Sequence, residues 1–150
     1  MGVSFYAEER GRAILELEAL TEKLESVERV FDMFLHQCPF VIWCKDCTEG
    51  DGRMLFISDM YSDVFGVSEA DYVGKTDKEV WPETIAALFR SQDMQVINTG
   101  EPVYMIEPTP LAREQEWRRC HTYKFPLKNK KGEVVAVGGI AWPDKNVGAI

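Results

Sequence analysis

A long helical stretch from about residue 7 to residue 35 constrains the possible folds of this chain more than any other feature. It is rich in Glu, Leu, Arg and Ala, and it ends before Pro39, which cannot continue a helical hydrogen-bond ladder. At about 1.5 Å per residue the helix would reach roughly 40 Å, which is longer than a compact domain of this size needs. Its apolar residues recur every three or four positions, as in a coiled coil: Leu17, Leu20, Leu24, Val27, Phe31 and Phe34. We refer to these six residues as the seam. Their spacing favours pairing with a second copy, and the alternative is that the seam lies on the chain's own sheet.

The rest of the chain combines β-rich runs with mostly short helical segments. Strands are predicted at residues 40–44, 53–57, 102–107, 115–127 and 133–142. Short helices are predicted between residues 58 and 81, and a longer one runs from Pro82 to Gly100. No strand–helix–strand alternation occurs, so the sheet should be antiparallel with its helices on one side. The predicted fold class is α+β.

Composition limits the classes of partner. A chain of 150 residues corresponds to one domain, and its formal net charge of −8 argues against nucleic acid, which requires a basic surface. No apolar run approaches the roughly 20 residues of a membrane helix, and the first residues lack the apolar core of a secretion signal. These features predict a cytoplasmic protein without nucleic-acid or membrane partners.

The spacing of the cysteines matches that of a metal site only in part. Cys38, Cys44 and Cys47 follow His36 closely, but the second pair of a structural zinc site is missing, since Cys120 and His121 are adjacent. We therefore expect no metal and four reduced thiols that are buried or half-buried.

From Pro39 to about Ala141 the chain resembles a PAS (Per-Arnt-Sim) sensor domain. The matching segments occur in order over about 100 residues: Pro-Phe-Val-Ile-Trp-Cys-Lys-Asp at 39–46, Gly-Arg at 52–53, Val-Phe-Gly-Val-Ser at 64–68, Val-Gly-Lys-Thr-Asp at 73–77, Trp-Pro at 81–82, Asp93 with Val-Ile-Asn-Thr-Gly-Glu-Pro at 96–102, Lys-Phe-Pro-Leu at 124–127, and Gly-Glu-Val-Val with Val-Gly-Gly-Ile-Ala at 132–141. The resemblance implies a five-stranded antiparallel sheet with short helices on one face and an enclosed pocket. It divides the chain into an N-terminal amphipathic helix (1–36), a PAS domain (37–143) and a C-terminal tail (144–150).

Two positions depart from the pattern of the family. Ser58 stands where many relatives have Asn, and it can still cap a helix. Pro143 follows the last strand and would obstruct a continuous helix into a C-terminal output domain.

The resemblance also bears on the cofactor, which the sequence does not identify. Haem-binding relatives use a histidine that commonly lies on the longer helix, and residues 82–98 contain none. Flavin relatives that form a cysteine adduct need a cysteine in the middle helices, and none occurs between Cys47 and Cys120. Haem and a flavin that forms a cysteine adduct are therefore not expected, whereas flavin bound without an adduct stays open. No catalytic motif is present, and we expect no enzyme activity.

Strand alternation predicts the polar end of the pocket. Of the two faces of residues 115–127, the one with Trp117, Arg119, His121 and Tyr123 is the more aromatic and is assigned inward. A buried Arg119 needs a partner, which could be Glu107 on the neighbouring strand or an anionic or polar ligand. The same alternation predicts an apolar floor, with Phe89 of the longer helix as a further candidate: Ile42, Cys44, Leu55 and Ile57. Val41, Trp43 and Phe56 then fall on the outer face.

These features together predict a sensory or regulatory domain for signal transduction. It would bind a small molecule in its core, pair with a second copy through its N-terminal helix, and act on, or be part of, a signalling protein such as a sensor kinase or cyclase. The alternative is a protein–protein interaction module with a filled core and no ligand.

Overall fold

The structure, a computed structural model, describes residues 2–111 and 114–143. The predicted tail at 144–150 lies outside these residues. The helices are α1 (Gly2–Gln37), α2 (Asp59–Phe65), α3 (Glu69–Tyr72), α4 (Asp77–Val80) and α5 (Glu83–Thr99). The strands are β1 (Val41–Asp46), β2 (Arg53–Ile57), β3 (Val103–Leu111), β4 (Glu114–Lys128) and β5 (Val134–Pro143). The chain divides into two compact units, residues 1–34 and residues 35–150.

The first unit contains helix α1 except its last turn, and this helix begins earlier than the sequence predicted. All six seam residues are exposed, by fractions between 43% and 65%. An apolar stripe of this length at coiled-coil spacing is a surface that normally acquires a partner.

The second unit has a five-stranded antiparallel sheet with the strand order β2-β1-β5-β4-β3. Helix α2 packs against β1, and α5 packs against β4 and β5. The predicted α+β class and the sheet with helices are therefore confirmed. The main buried cluster lies at the β1–β2 end of the sheet, beneath α2 and α3: Val41, Trp43, Met54, Ile57, Tyr61, Tyr72 and Ala141.

Ser58 joins the β1–β2 hairpin to helix α2, and its predicted role as a cap is confirmed. Its buried Oγ accepts hydrogen bonds from the backbone N–H groups of Ile42 (3.0 Å) and Tyr61 (3.3 Å) and donates one to the carbonyl of Phe40 (2.9 Å). Helix α2 ends at Gly66, whose φ of 72° is a left-handed conformation that glycine adopts without strain.

Two glycines at the centre of β5 allow aromatic rings to approach the sheet closely. Gly138 and Gly139 are neighbours in sequence and therefore face opposite sides of the strand. The ring of Phe125 lies against Gly138, and the ring of Trp43 lies against Gly139. The Trp43 side is the inner one, because Trp43 belongs to the buried cluster.

Candidate functional site

A small cavity of about 20 Å³ lies between the helices and the inner face of the sheet. This volume accommodates about one water molecule. Its lining combines aromatic rings with charged side chains: Trp43, Lys45, Tyr61, Phe65, Tyr72, Phe89, Glu107, Thr122, Lys124 and Ala141. Phe65 is half-buried, and the other nine residues are buried.

A buried ionic network borders the cavity and joins four elements. The carboxylate of Asp93 on α5 accepts from two ammonium groups, Lys45 of β1 at 2.8 Å and Lys124 of β4 at 2.6 Å. Lys45 also donates to Asp77 of α4 at 2.6 Å. None of these four side chains is more than 5% exposed. Pairing of this kind offsets much of the cost of burying charges.

The network perturbs the pKa of its members in different directions. Burial works to lower the pKa of Lys45, but the carboxylates of Asp93 and Asp77 raise it above its ordinary value. Burial works to raise the pKa of Asp93, but Lys45 and Lys124 hold it below its ordinary value. The pKa of Lys124 is lowered, because burial, together with the charge of Lys45, outweighs the attraction of Asp93. The charge of Lys124 is therefore less completely compensated than that of Lys45.

Uncharged donors complete the polar lining. The Tyr72 hydroxyl donates to Asp77 at 2.6 Å and accepts from the indole N–H of Trp81 at 3.0 Å. Burial and the neighbouring Asp77 both raise the pKa of Tyr72. Tyr72 is therefore a protonated donor at any physiological pH.

Glu107 occupies the opposite part of the lining. Its Oε1 accepts from the Thr122 hydroxyl at 2.9 Å, and its Oε2 accepts from the side-chain amide of Gln92. The carbonyl oxygen of that amide is buried and has no hydrogen-bond partner among the described residues. Hydrogen-bond acceptors are thus in excess around Glu107.

Aromatic rings form the remaining walls. Trp43 meets Tyr61 edge-on with ring centroids 6.0 Å apart, and Tyr61 lies 4.7 Å from Phe65. The ammonium groups of Lys45 and Lys124 lie 5.7 and 5.5 Å from the ring centroid of Phe89, within the range of cation–π attraction. The site therefore offers flat apolar surfaces beside a fixed set of polar groups.

The face assignment of β4 was wrong. Cys120, Thr122 and Lys124 point inward and are buried, whereas Arg119 and Tyr123 are exposed and His121 is half-buried. The side chain of Trp117 lies outside what the structure describes. Among the predicted polar residues, the cavity lining includes Glu107 but neither Arg119 nor His121.

The physical reason is that the outward rings pack on one another. The ring of His121 is nearly parallel to that of Trp142, with centroids 5.5 Å apart, and its Nδ1 lies 2.6 Å from the hydroxyl of Tyr104. An aromatic face can therefore be an outer face, while Thr122 and Lys124 find partners inside.

The predicted floor is also partly wrong. Trp43 and Lys45 of β1 face the cavity, so Ile42 and Cys44 belong to the other face. In β2, Ile57 is in the buried core as expected, but Leu55 is 48% exposed. Cys44 pairs with Phe56 and Lys45 with Met54, which leaves Leu55 as the extra residue of a bulge and interrupts the alternation. Phe89 lines the cavity as expected.

The predicted burial of the thiols is confirmed, with Cys38, Cys44 and Cys120 buried and Cys47 half-buried. Among the side chains that the structure describes, no three of His, Cys, Asp or Glu come together as a metal site. In the same part of the chain, every helix is too short or too polar to cross a membrane.

Comparison with known proteins finds a sequence relative and similar solved structures. The chain is 25% identical over 135 residues to the methanogenesis regulatory histidine kinase FilI of Methanothrix harundinacea (strain 6Ac). This match covers 90% of the chain and 15% of that kinase. The PAS domain of Bordetella pertussis BvgS superposes with a TM-score of 0.64 at 21% identity, over 81% of this chain and 89% of that one.

A third similar structure corrects the prediction about partners. Vibrio cholerae VqmA, solved as a VqmA–ligand–DNA complex, superposes with a TM-score of 0.64 at 23% identity. The match covers 81% of this chain and 53% of that one. The prediction that excluded nucleic acid was wrong, because a DNA-bound protein contains the same fold. The net charge of one domain does not restrict the partners of a longer protein.

The family assignment rests on a match over most of the chain. The sequence profile of the PAS fold matches residues 35–143. This range includes the five strands, helices α2–α5 and every residue that lines the cavity. The resemblance seen in the sequence is thereby confirmed, and the chain belongs to the PAS fold family.

Proposed function

We propose that this chain is a sensory PAS domain whose core binds a small molecule and whose helix α1 pairs two copies within a signalling protein. The observation that carries the proposal is the buried network around Asp93, which connects α4, α5, β1 and β4 at the cavity. A ligand that touches this network can shift four elements together. The kinship with a regulatory histidine kinase and the ligand-bound state of VqmA support this role.

The exposure of the seam favours pairing through α1. Leu20, Leu24 and Val27 lie at its centre and are 58% to 63% exposed. Burying such residues against a second α1 removes apolar surface from water at a spacing that suits two helices. A homodimer accounts for the exposed surface and gives the sensor a movable output element.

The end of α1 offers a route from the core to the paired helices. Leu35 and Cys38 belong to the second unit and are buried there. The ring Nδ1 of His36 lies 2.8 Å from the carboxylate of Asp59, the first residue of α2. A repacking of α2 would therefore displace the last turn of α1 and would change the packing of two α1 helices against each other.

The experiment combines the oligomeric state with ligand screening on the full chain. Leu24→Glu should convert a dimer into a monomer in sedimentation velocity, because it places a charge in the seam. Ala19→Glu adds the same charge at an exposed position outside the seam and should remain dimeric. A wild-type protein that sediments as a monomer at tens of micromolar would overturn the dimer. A metabolite library that never raises the melting temperature would overturn ligand binding.

A second candidate is a protein–protein interaction module without a ligand. The observation in its favour is the cavity volume, because about 20 Å³ leaves room for a water molecule and no metabolite. This candidate predicts an unchanged melting temperature with every ligand but a dimer that Leu24→Glu still dissociates.

A further inference from the structure

The charge of the lining restricts what the cavity can take. The two ammonium groups, Lys45 and Lys124, are already engaged by Asp77 and Asp93. A charged ligand would have to break one of these pairs or add a buried charge, and either change is costly. A neutral ligand leaves the network intact.

The remaining hydrogen-bonding capacity specifies the polar part of a ligand. Within the described residues Lys124 donates to Asp93 and, at 3.4 Å, to the carbonyl of Phe89, so one of its three N–H groups can still donate. Each oxygen of Glu107 accepts one hydrogen bond and can accept another. Lys124 and Glu107 both line the cavity. A ligand that carries a hydrogen-bond acceptor next to a donor can accept from Lys124 and donate to Glu107 at the same time.

The walls specify the shape. The rings of Trp43, Tyr61, Phe65 and Phe89 surround the polar groups and favour a flat ligand. Because the cavity holds only about one water molecule, one wall must move before a larger ligand can enter. Phe65 is the half-buried member of the lining, and it ends α2 directly before the left-handed Gly66. The ring of Phe65 is therefore the movable wall.

We propose that the cavity binds a small, flat, neutral molecule with an amide-type edge, a carbonyl oxygen next to an N–H, as in lactams, pyridones and primary aromatic carboxamides. The carbonyl oxygen accepts from Lys124, and the N–H donates to Glu107. The ring stacks among the aromatic walls once Phe65 has turned outward. This inference rests on the proposed function, since it names the ligand class of the same site.

The first test uses a ligand series on the full-length protein. 2-Pyridone should raise the melting temperature and perturb the NMR signals of the core. N-methyl-2-pyridone lacks the N–H, and benzoate carries a charge. Neither compound should raise the melting temperature or perturb the NMR signals of the core at the same millimolar concentration. Equal binding of N-methyl-2-pyridone or benzoate would overturn the proposal, and so would the absence of any effect of 2-pyridone.

The second test compares three variants, so that poor folding of one of them does not decide the result. Glu107→Gln should weaken 2-pyridone binding by about tenfold or more, because the strong acceptor for its N–H is lost. Glu101→Gln changes an exposed carboxylate outside the site and should bind normally. Phe65→Ala opens the movable wall and should tighten binding. Unchanged affinity in both Glu107→Gln and Phe65→Ala would overturn the assignment.

The outcomes also separate this inference from the proposed function. If another chemical class raises the melting temperature and Phe65→Ala strengthens its effect, the domain binds a ligand in its core and only the amide class is wrong. If no molecule of any class binds to the wild type or to Phe65→Ala, ligand sensing itself fails.

Discussion

The indole ring of Trp43 occupies the space in which a side chain at residue 139 would begin. The two residues are register partners on β1 and β5, and a Cβ at Gly139 would lie 2.1 Å from Cζ2 of Trp43. No non-bonded carbon pair tolerates such a distance, so the wall that Trp43 gives to the cavity depends on a glycine in the adjacent strand.

Gly139→Ala should therefore destabilise the protein by about 1–3 kcal/mol, because the added methyl group displaces a buried ring. Chemical denaturation monitored by tryptophan fluorescence measures the loss. Gly11→Ala is the control, since no atom lies within 4 Å of its new Cβ in helix α1. It should stabilise its helix by up to about 1 kcal/mol. Equal stability of the Gly139→Ala and wild-type proteins would contradict the packing described here.

Asp93→Asn should be among the most damaging single substitutions. It leaves Lys45 and Lys124 buried without their shared carboxylate, and such a loss costs about 3–5 kcal/mol. The free energy of unfolding at neutral pH measures the effect. Asp63→Asn removes an exposed carboxylate from α2 and should change the stability by less than about 0.5 kcal/mol. Similar losses in the two variants would show that the network does not stabilise the fold.

The pH dependence of stability should report the same carboxylate. Its pKa is held below the ordinary value of 3.8, so its contribution is complete above about pH 5 and is lost as the pH falls through 3.8 to the lower, folded-state pKa. The difference in unfolding free energy between wild type and Asp93→Asn should shrink over this range. A difference that stays constant from pH 7 to pH 3 would exclude an ionised Asp93 as its cause.

Thr122→Val and Arg119→Met test the corrected faces of β4. Thr122→Val removes the hydroxyl donor of a buried carboxylate, Glu107, and should cost about 1–3 kcal/mol. Arg119→Met alters an exposed side chain and should change the stability by less than about 0.5 kcal/mol. The opposite ranking, measured by urea denaturation, would restore the original inward assignment of Arg119.

Cys44 should resist alkylation in the native protein. Burial, with smaller contributions from Cys47 and Asp46, raises the pKa of its thiol to about 11. Very little thiolate is then present at pH 7 to 8, and the thiolate is the reactive form. Iodoacetamide followed by peptide mapping should leave Cys44 unmodified until the protein is denatured. Rapid native labelling of Cys44 would show that this strand opens easily.

The sequence was sufficient for those parts of the fold that depend on local patterns. Ser58 caps the start of helix α2 as predicted, because capping needs only residues close in sequence. The strand positions followed from β-rich runs between turn residues, and the sheet lies where they indicated. The order of motifs was also enough to identify the family.

The interior of the site was harder to predict, because its charges are compensated across long sequence distances. Lys124 donates to Asp93 on a separate helix. The sequence of strand β4 alone does not distinguish a buried lysine from an exposed one. One signal was available in α5. Asp93 lies on the same face as Ile85, Phe89 and Val96, and a carboxylate on an apolar helix face indicates a buried partner.

The Asp93 network has a consequence for the folding reaction. Its four charged residues come from β1, α4, α5 and β4, which span positions 45 to 124, and no two of them are compensated until distant segments have met. A partly folded chain that docked β4 without α5 would bury Lys124 with no counter-ion. Intermediates of this kind are penalised, so residues 35–143 should assemble in a single cooperative transition, and fragments cut within this range should not keep a native core.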